Sequence, residues 1–165
     1  MNATDRSAWQ NPAMTLDDLK LILVPTDFDP SSVLPLRAAV QLARAFQAAI
    51  EVFHVDIDPS LEAASAESIF PVQLVFESLR ADTANHLERI VADVRASNVA
   101  CTSASELGRS HTAIVEHARR IGAGLIVMGG HGRHGLGDVL IGSVAEKVVR
   151  HAPCAVLVVP TSPEA

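Results

Sequence analysis

The sequence predicts a single-domain α/β fold, a parallel sheet with helices on both faces. Three observations carry the prediction. Short apolar runs recur at residues 21–24, 50–55, 125–128 and 154–159, with a weaker one at 99–105. They are continuous rather than alternating, as in strands buried on both faces. Between them lie longer segments whose apolar residues recur every three or four positions, as on one face of a helix. Strands joined through helices pair in parallel by right-handed crossovers.

Composition bounds the answer. A chain of 165 residues suits one domain with a sizeable core. Hydrophobic residues make up 48% and aromatic ones 4%, so that core is aliphatic. The formal net charge is -6, and the Lys and Arg residues are scattered, which disfavours nucleic acid or an anionic membrane as partner. No apolar run reaches the roughly 20 residues of a membrane span. Residues 1–20 lack the apolar stretch of a signal peptide, so none is expected. Cys101 and Cys154 fall in or beside strands. They read as reduced thiols, which suits a cytoplasmic protein.

Residues 1–17 show no period and read as a disordered arm before a domain over 18–162. The first strand ends at Pro25-Thr26-Asp27, where proline is expected to stop pairing. Ser31 or Ser32 then caps a helix that accepts Pro35 in its first turn. Val33, Leu36, Val40, Ala43 and Phe46 give it a core face. Asp27 has two readings, a turn residue or a ligand at the carboxyl end of a central strand. The second is preferred, because open α/β sheets bind ligands where strand order reverses.

After the second strand, residues 57–70 are Ala- and Ser-rich and read as a loop, a lid or a short helix. Val72, Val75, Leu79, Thr83, Leu87, Ile90 and Val94 trace one long amphipathic helix. His86, beside that stripe, reads as a boundary packing residue. The third strand is weakly marked and belongs near an edge. Gly108 and Ser110 break and cap, and Ile114, Val115, Ala118 and Ile121 form the buried face of the next helix. Gly122 and Gly124 end it. The fourth strand runs into a glycine-rich loop, followed by a helix at 143–151 and the fifth strand.

That loop carries glycines at 129, 130, 132, 135 and 137, with Gly142-Ser143 at the helix start. Glycine lets backbone N–H groups approach a ligand closely. A helix N-terminus adds unpaired donors and a partial positive charge, so phosphate is the expected guest. Two standard phosphate motifs do not fit. Gly137 to Gly142 has P-loop spacing, but Ser143 stands where Lys is required. Gly130-His131-Gly132-Arg133-His134-Gly135 matches the dinucleotide fingerprint, yet the next strand ends without the acid that motif needs.

Gly129, two residues, Gly132, nine residues, Gly142 and then Ser143 resembles the nucleotide-binding signature of the universal stress protein family. The flanking LIVMG and GSVAEKVVRHAPCAVLVVP fit as well, as do Leu21 to Phe28 and Val52 to Val55. The resemblance spans roughly residues 20–160. It implies a Rossmann-like fold of the adenine nucleotide alpha hydrolase kind, with strand order 3-2-1-4-5. It also implies ATP as ligand, with Mg2+ held through the phosphates. Asp27 and Gly129 would then face one another across a cleft.

By the same resemblance the Val55 backbone meets the adenine, and Pro25, Thr26 and Met128 line the cleft. Gly129, Gly132, Gly142, Ser143 and Val144 attend the phosphates. Asp27 accepts a ribose hydroxyl or holds a magnesium-bound water. The Ser143 hydroxyl serves a phosphate, the helix cap, or both. His131, Arg133 and His134 neutralise phosphate or are merely solvated, and His131-x-x-His134 lacks the further ligands of a metal site. A homodimer through the fifth strand is implied. The chain departs from the family pattern at Gly124, Asp29 and Ser110-His111. No nucleophile–base pair emerges, so at most slow ATP hydrolysis or self-phosphorylation is expected. Two functions therefore compete, an ATP-binding regulatory stress protein and a nucleotide-independent interaction module of the same fold.

Overall fold

Ile22, Leu23 and Val24 are consecutive and almost inaccessible, at 0%, 0% and 1% exposure. Successive side chains of an extended chain point to opposite sides, so such a run needs cover on both faces. The computed structural model, which describes residues 19–56, 72–130 and 141–160 with backbone alone over 72–79, provides it. Five strands, β1 (Leu21–Thr26), β2 (Ala49–Asp56), β3 (Cys101–Leu107), β4 (Leu125–Gly129) and β5 (Ala155–Val159), form one sheet. All neighbouring pairs are parallel, in the order β3-β2-β1-β4-β5. Helices α1 (Val33–Phe46), α2 (Val72–Ala96), α3 (Ser110–Ile121) and α4 (Ser143–His151) make the crossovers. The expected arm at 1–17 and the stretch at 57–70 lie outside the described residues.

Two aliphatic cores result, one on each face. Ile22, Val24, Ile50, Val52 and Val127 pack beneath α1 and α2, meeting Ala39, Ala43, Leu87, Val91 and Val94. Leu23, Phe53, Ile126 and Met128 pack beneath α3 and α4, meeting Ile114, Ala118, Ala145 and Val148. The second core contains a polar cluster that no sequence period announces. His117 on α3 is buried, stacks on Phe53 with ring centroids 4.0 Å apart, and lies 3.3 Å from Glu106. It also contacts Glu51 and Arg120, and Arg120 donates to Glu106. The Glu51 carboxylate can only accept, so the His117 Nε2 donates to it.

Several local expectations are corrected. Pro25 does not end β1, because pairing with β2 continues through Pro25↔Phe53 and Thr26↔His54. The β4 register covers Ile22 and Leu23 only, so β1 has a neighbour on one side beyond that point and tolerates a residue without N–H. Ser32 stands at the N-cap position of α1, as expected, but its side chain makes no capping hydrogen bond to the helix. Asp29 caps a 3-10 turn, Pro30–Ser32, and α1 continues from it. Ser110 is the first residue of α3 and not its cap, which is Arg109. The third strand begins at Cys101 rather than 99, because Asn98 turns the chain with φ 59°. It does form an edge of the sheet.

Gly122 ends α3 as expected, with φ 66° in the left-handed region. At Gly124, where the family pattern often carries an acid, an added Cβ would stand 2.9 Å from Leu19 Cδ1. A buried leucine occupies that space instead. Both cysteines are free, Cys101 buried and Cys154 half-buried. Burial pushes the Cys101 thiol up to about 11, with Arg95 opposing and Glu51 adding. Burial also raises Cys154, against a backbone hydrogen bond involving Ile126.

Phe53 heads the fully buried side chains by volume. Phe53→Ala should therefore lower the unfolding free energy by about 3–5 kcal/mol, read from urea denaturation. A loss under about 1 kcal/mol would show that the second core collapses around the gap.

Candidate functional site

The strand order reverses between β1 and β4. From β1 the chain builds outward through β2 to β3, then returns to add β4 and β5 on the other side. The carboxyl ends of β1 and β4 therefore open a crevice between diverging crossovers, the place where open α/β sheets bind ligands. Pro25, Thr26 and Asp27 stand on one side of it, Met128 and Gly129 on the other, and Val55 lies one residue before the end of β2 next door. All are half-buried except Met128, which is buried.

The β1 side is a tightly bonded turn. Asp27 Oδ1 accepts from the Asp29 N–H at 3.1 Å and from the Ser32 hydroxyl at 2.7 Å. Thr26 Oγ1 accepts from the Phe28 N–H at 3.1 Å. Asp29 Oδ1 accepts from the N–H and the hydroxyl of Ser31, at 2.9 and 2.7 Å. Asp27 thus does act as a turn residue. This sets its carboxylate at the crevice mouth and leaves the ligand reading standing beside the turn reading.

The β4 side is closed by backbone. The Gly130 N–H donates to Val159 O at 2.9 Å, and the Gly142 N–H donates to Gly130 O at 2.5 Å. The chain therefore leaves the crevice at Gly130 and returns to the same point at Gly142. Gly132, His131, Arg133 and His134 fall at 131–140, outside the described residues. Gly142 is the N-cap of α4, in extended conformation. Ser143 is the first helical residue and is exposed, so the cap reading of its hydroxyl drops out. The first intrahelical bond is Glu146 N–H to Gly142 O, at 2.9 Å. The N–H groups of Ser143 and Val144 thus have no partner within the helix. They carry the positive end of its dipole. Glu146 is the acid in that first turn, and its carboxylate accepts from Arg150 at 2.8 Å.

A third group of residues joins the site without any signal in the linear sequence. The Phe28 ring stacks on His54, with centroids 4.2 Å apart, and on His86, at 5.1 Å. His86 packs, as expected of a boundary histidine, but its partner stands beside the crevice. Phe28 lies in the turn after β1, His54 on β2 and His86 on α2, and no spacing links them. Among the described residues no group of three or more His, Cys, Asp or Glu side chains could hold a metal ion.

The model of the universal stress protein family matches residues 19–160. Universal stress protein MJ0531 of Methanocaldococcus jannaschii is 33% identical over 141 residues, covering 85% of this chain and 81% of its own. The solved structure of the hypothetical protein MJ0577 superposes with a TM-score of 0.76 at 25% identity, covering 88% of this chain and 99% of that one. A universal stress protein solved in complex with cAMP shares the fold, with a TM-score of 0.65 at 24% identity over 87% and 98% of the two chains.

The Ser32 hydroxyl donates to Asp27 across five residues of the turn. Ser32→Ala should cost about 1 kcal/mol of unfolding free energy by denaturant titration. An unchanged midpoint would mean that the turn holds Asp27 without it.

Proposed function

The chain belongs to the universal stress protein family, and we propose that it is an ATP-binding member, a dimeric regulatory protein whose nucleotide occupancy reports energy state. One observation carries the reading. At the switch point a bonded acidic turn faces a glycine-closed helix start whose leading N–H groups have no helical partner. The donor set fits a phosphate chain, because Ser143 and Val144 offer N–H groups and the Ser143 hydroxyl is exposed beside them. The Gly142 N–H is engaged by Gly130, so Gly142 serves by closure and by its lack of a side chain.

On this reading Gly129 and Gly132 let the loop approach the phosphates. Asp27 accepts a ribose hydroxyl. Pro25, Thr26 and Met128 wall the base, and the Val55 backbone meets the adenine edge. Mg2+ is carried on the phosphates and screens their charge from Asp27. The hydroxyls paired to carboxylates among the described residues, Ser32 with Asp27 and Ser31 with Asp29, are used in building the turn, so on this reading hydrolysis is slow and occupancy is the signal. The class of ligand is supported by the universal stress protein solved with cAMP. No helix among the described residues is long and apolar enough to cross a membrane. A cytoplasmic location suits the two free thiols.

The first test is calorimetric titration of ATP with magnesium into wild type and Gly142→Glu. Gly142 has φ -69° and ψ 158°, which any residue can adopt, so the variant should fold. It puts bulk and negative charge at the helix start and should weaken binding by at least about tenfold. Absence of binding to nucleotide-free wild type would instead favour the interaction-module reading.

Dimerisation through β5 rests on an edge that β4 covers on one side only. Leu157, at 38% exposure, stands on that edge, and Ile141, Val144 and Val149 are also exposed. An apolar edge strand left bare invites pairing. Light scattering at micromolar concentration should report about twice the 17.5 kDa chain mass, and Leu157→Lys should shift it toward the monomer. A monomeric wild type would sink this part of the reading.

A further inference from the structure

Phe28 holds a backbone conformation that a bulky residue avoids. Its φ is 61°, in the left-handed region where the Cβ of an L-residue crowds the following carbonyl oxygen. Such strain persists only where the surroundings over-determine it, and it gathers at ligand sites. Here the surroundings act from three elements. The Phe28 N–H is bonded to Thr26 Oγ1. Its ring stacks on His54 from β2, with planes 24° apart, and on His86 from α2, with planes 28° apart.

His54 is itself held through Nδ1. Nδ1 lies 2.8 Å from Thr26 O. A carbonyl only accepts, so Nδ1 carries the proton and donates. Nε2 lies 3.5 Å from Asp56 Oδ1. That oxygen also accepts from the Thr83 hydroxyl at 3.0 Å, and Thr83 is a buried residue of α2. A line of polar contacts thus runs from α2 through Asp56 and His54 to the carbonyl of Thr26. Thr26 directly precedes Asp27, whose carboxylate stands at the crevice.

We propose that His54 is a positioning residue for nucleotide binding. It touches no ligand. By donating to Thr26 O, it holds the turn from Thr26 to Phe28 in the strained shape that receives the nucleotide. The ligand then does not have to order the turn itself, and affinity rises by that saving. The inference rests on the nucleotide reading of the site above.

Asparagine and glutamine at position 54 separate the two nitrogens. The Asn side-chain N–H reaches close to the place of Nδ1, and that of Gln close to the place of Nε2. ATP with magnesium is titrated into wild type, His54→Asn and His54→Gln, with thermal unfolding of each followed by circular dichroism. His54→Gln should bind at least about tenfold more weakly than wild type, and His54→Asn within about threefold of it. A role in folding alone would move the unfolding midpoints and leave the affinities of the folded variants together. Equal affinities for both variants, whether wild-type or weakened, overturn the proposal while the nucleotide reading survives. Failure of wild type to bind removes both.

Discussion

The covering of β1 on both faces is the constraint from which the rest of the molecule follows. A strand with three consecutive buried residues needs helices above and below, and it needs neighbours on both edges. Crossovers of one hand meet that need only if the chain winds one way from β1 and then the other. The reversal leaves the carboxyl ends of β1 and β4 uncovered by any crossover. The crevice is thus a by-product of burying Ile22, Leu23 and Val24. The same burial makes it rigid, since β1 and β4 are anchored in both cores through Val24, Val127 and Leu23, Ile126.

The two sides of the crevice are built differently. On the β1 side, side chains set the backbone, as Asp27, Asp29 and Thr26 each bond an N–H two residues ahead. This local competition with helix formation explains why α1 starts only after a 3-10 turn. On the β4 side, backbone bonds to backbone through Gly130 and Gly142. Side chains are dispensable there, which leaves the N–H groups of the helix start open to a guest. One side offers a placed carboxylate and the other a set of donors, and the nucleotide reading proposed above assigns the ribose to the first and the phosphates to the second.

Most of this was legible because it is written in periodicity. The continuous runs at 21–24 and 125–128 predict strands with two covered faces, and Gly122 predicts the end of α3. The loop at 129–143 is read through glycine spacing, and Gly142 to Ser143 falls at a helix start as expected. What was not legible depends on contacts between distant residues. His117 meets Glu51 and Glu106 across two strands, and His54 meets Phe28 across a strand pair. Capping was misread in part for a related reason. Ser32 does hold the N-cap position of α1, but its hydroxyl is spent on Asp27, Asp29 caps the 3-10 turn before it, and Arg109 rather than Ser110 caps the third helix. Pro25 misled because its effect depends on which edge of β1 has a neighbour at that level.

The bond from Gly142 to Gly130 has an evolutionary reach. It sets the two ends of residues 131–140 side by side and ties them to β5 through Val159. For a segment whose ends are already joined, doubling its length costs only about 0.6 kcal/mol of closure entropy. A change in the number of residues between those glycines therefore costs little in chain closure. Selection can rewrite that segment to suit one anionic guest or another, or none, while the sheet and both cores stay as they are. A lineage of such proteins can diverge in what it senses without first having to solve its fold again.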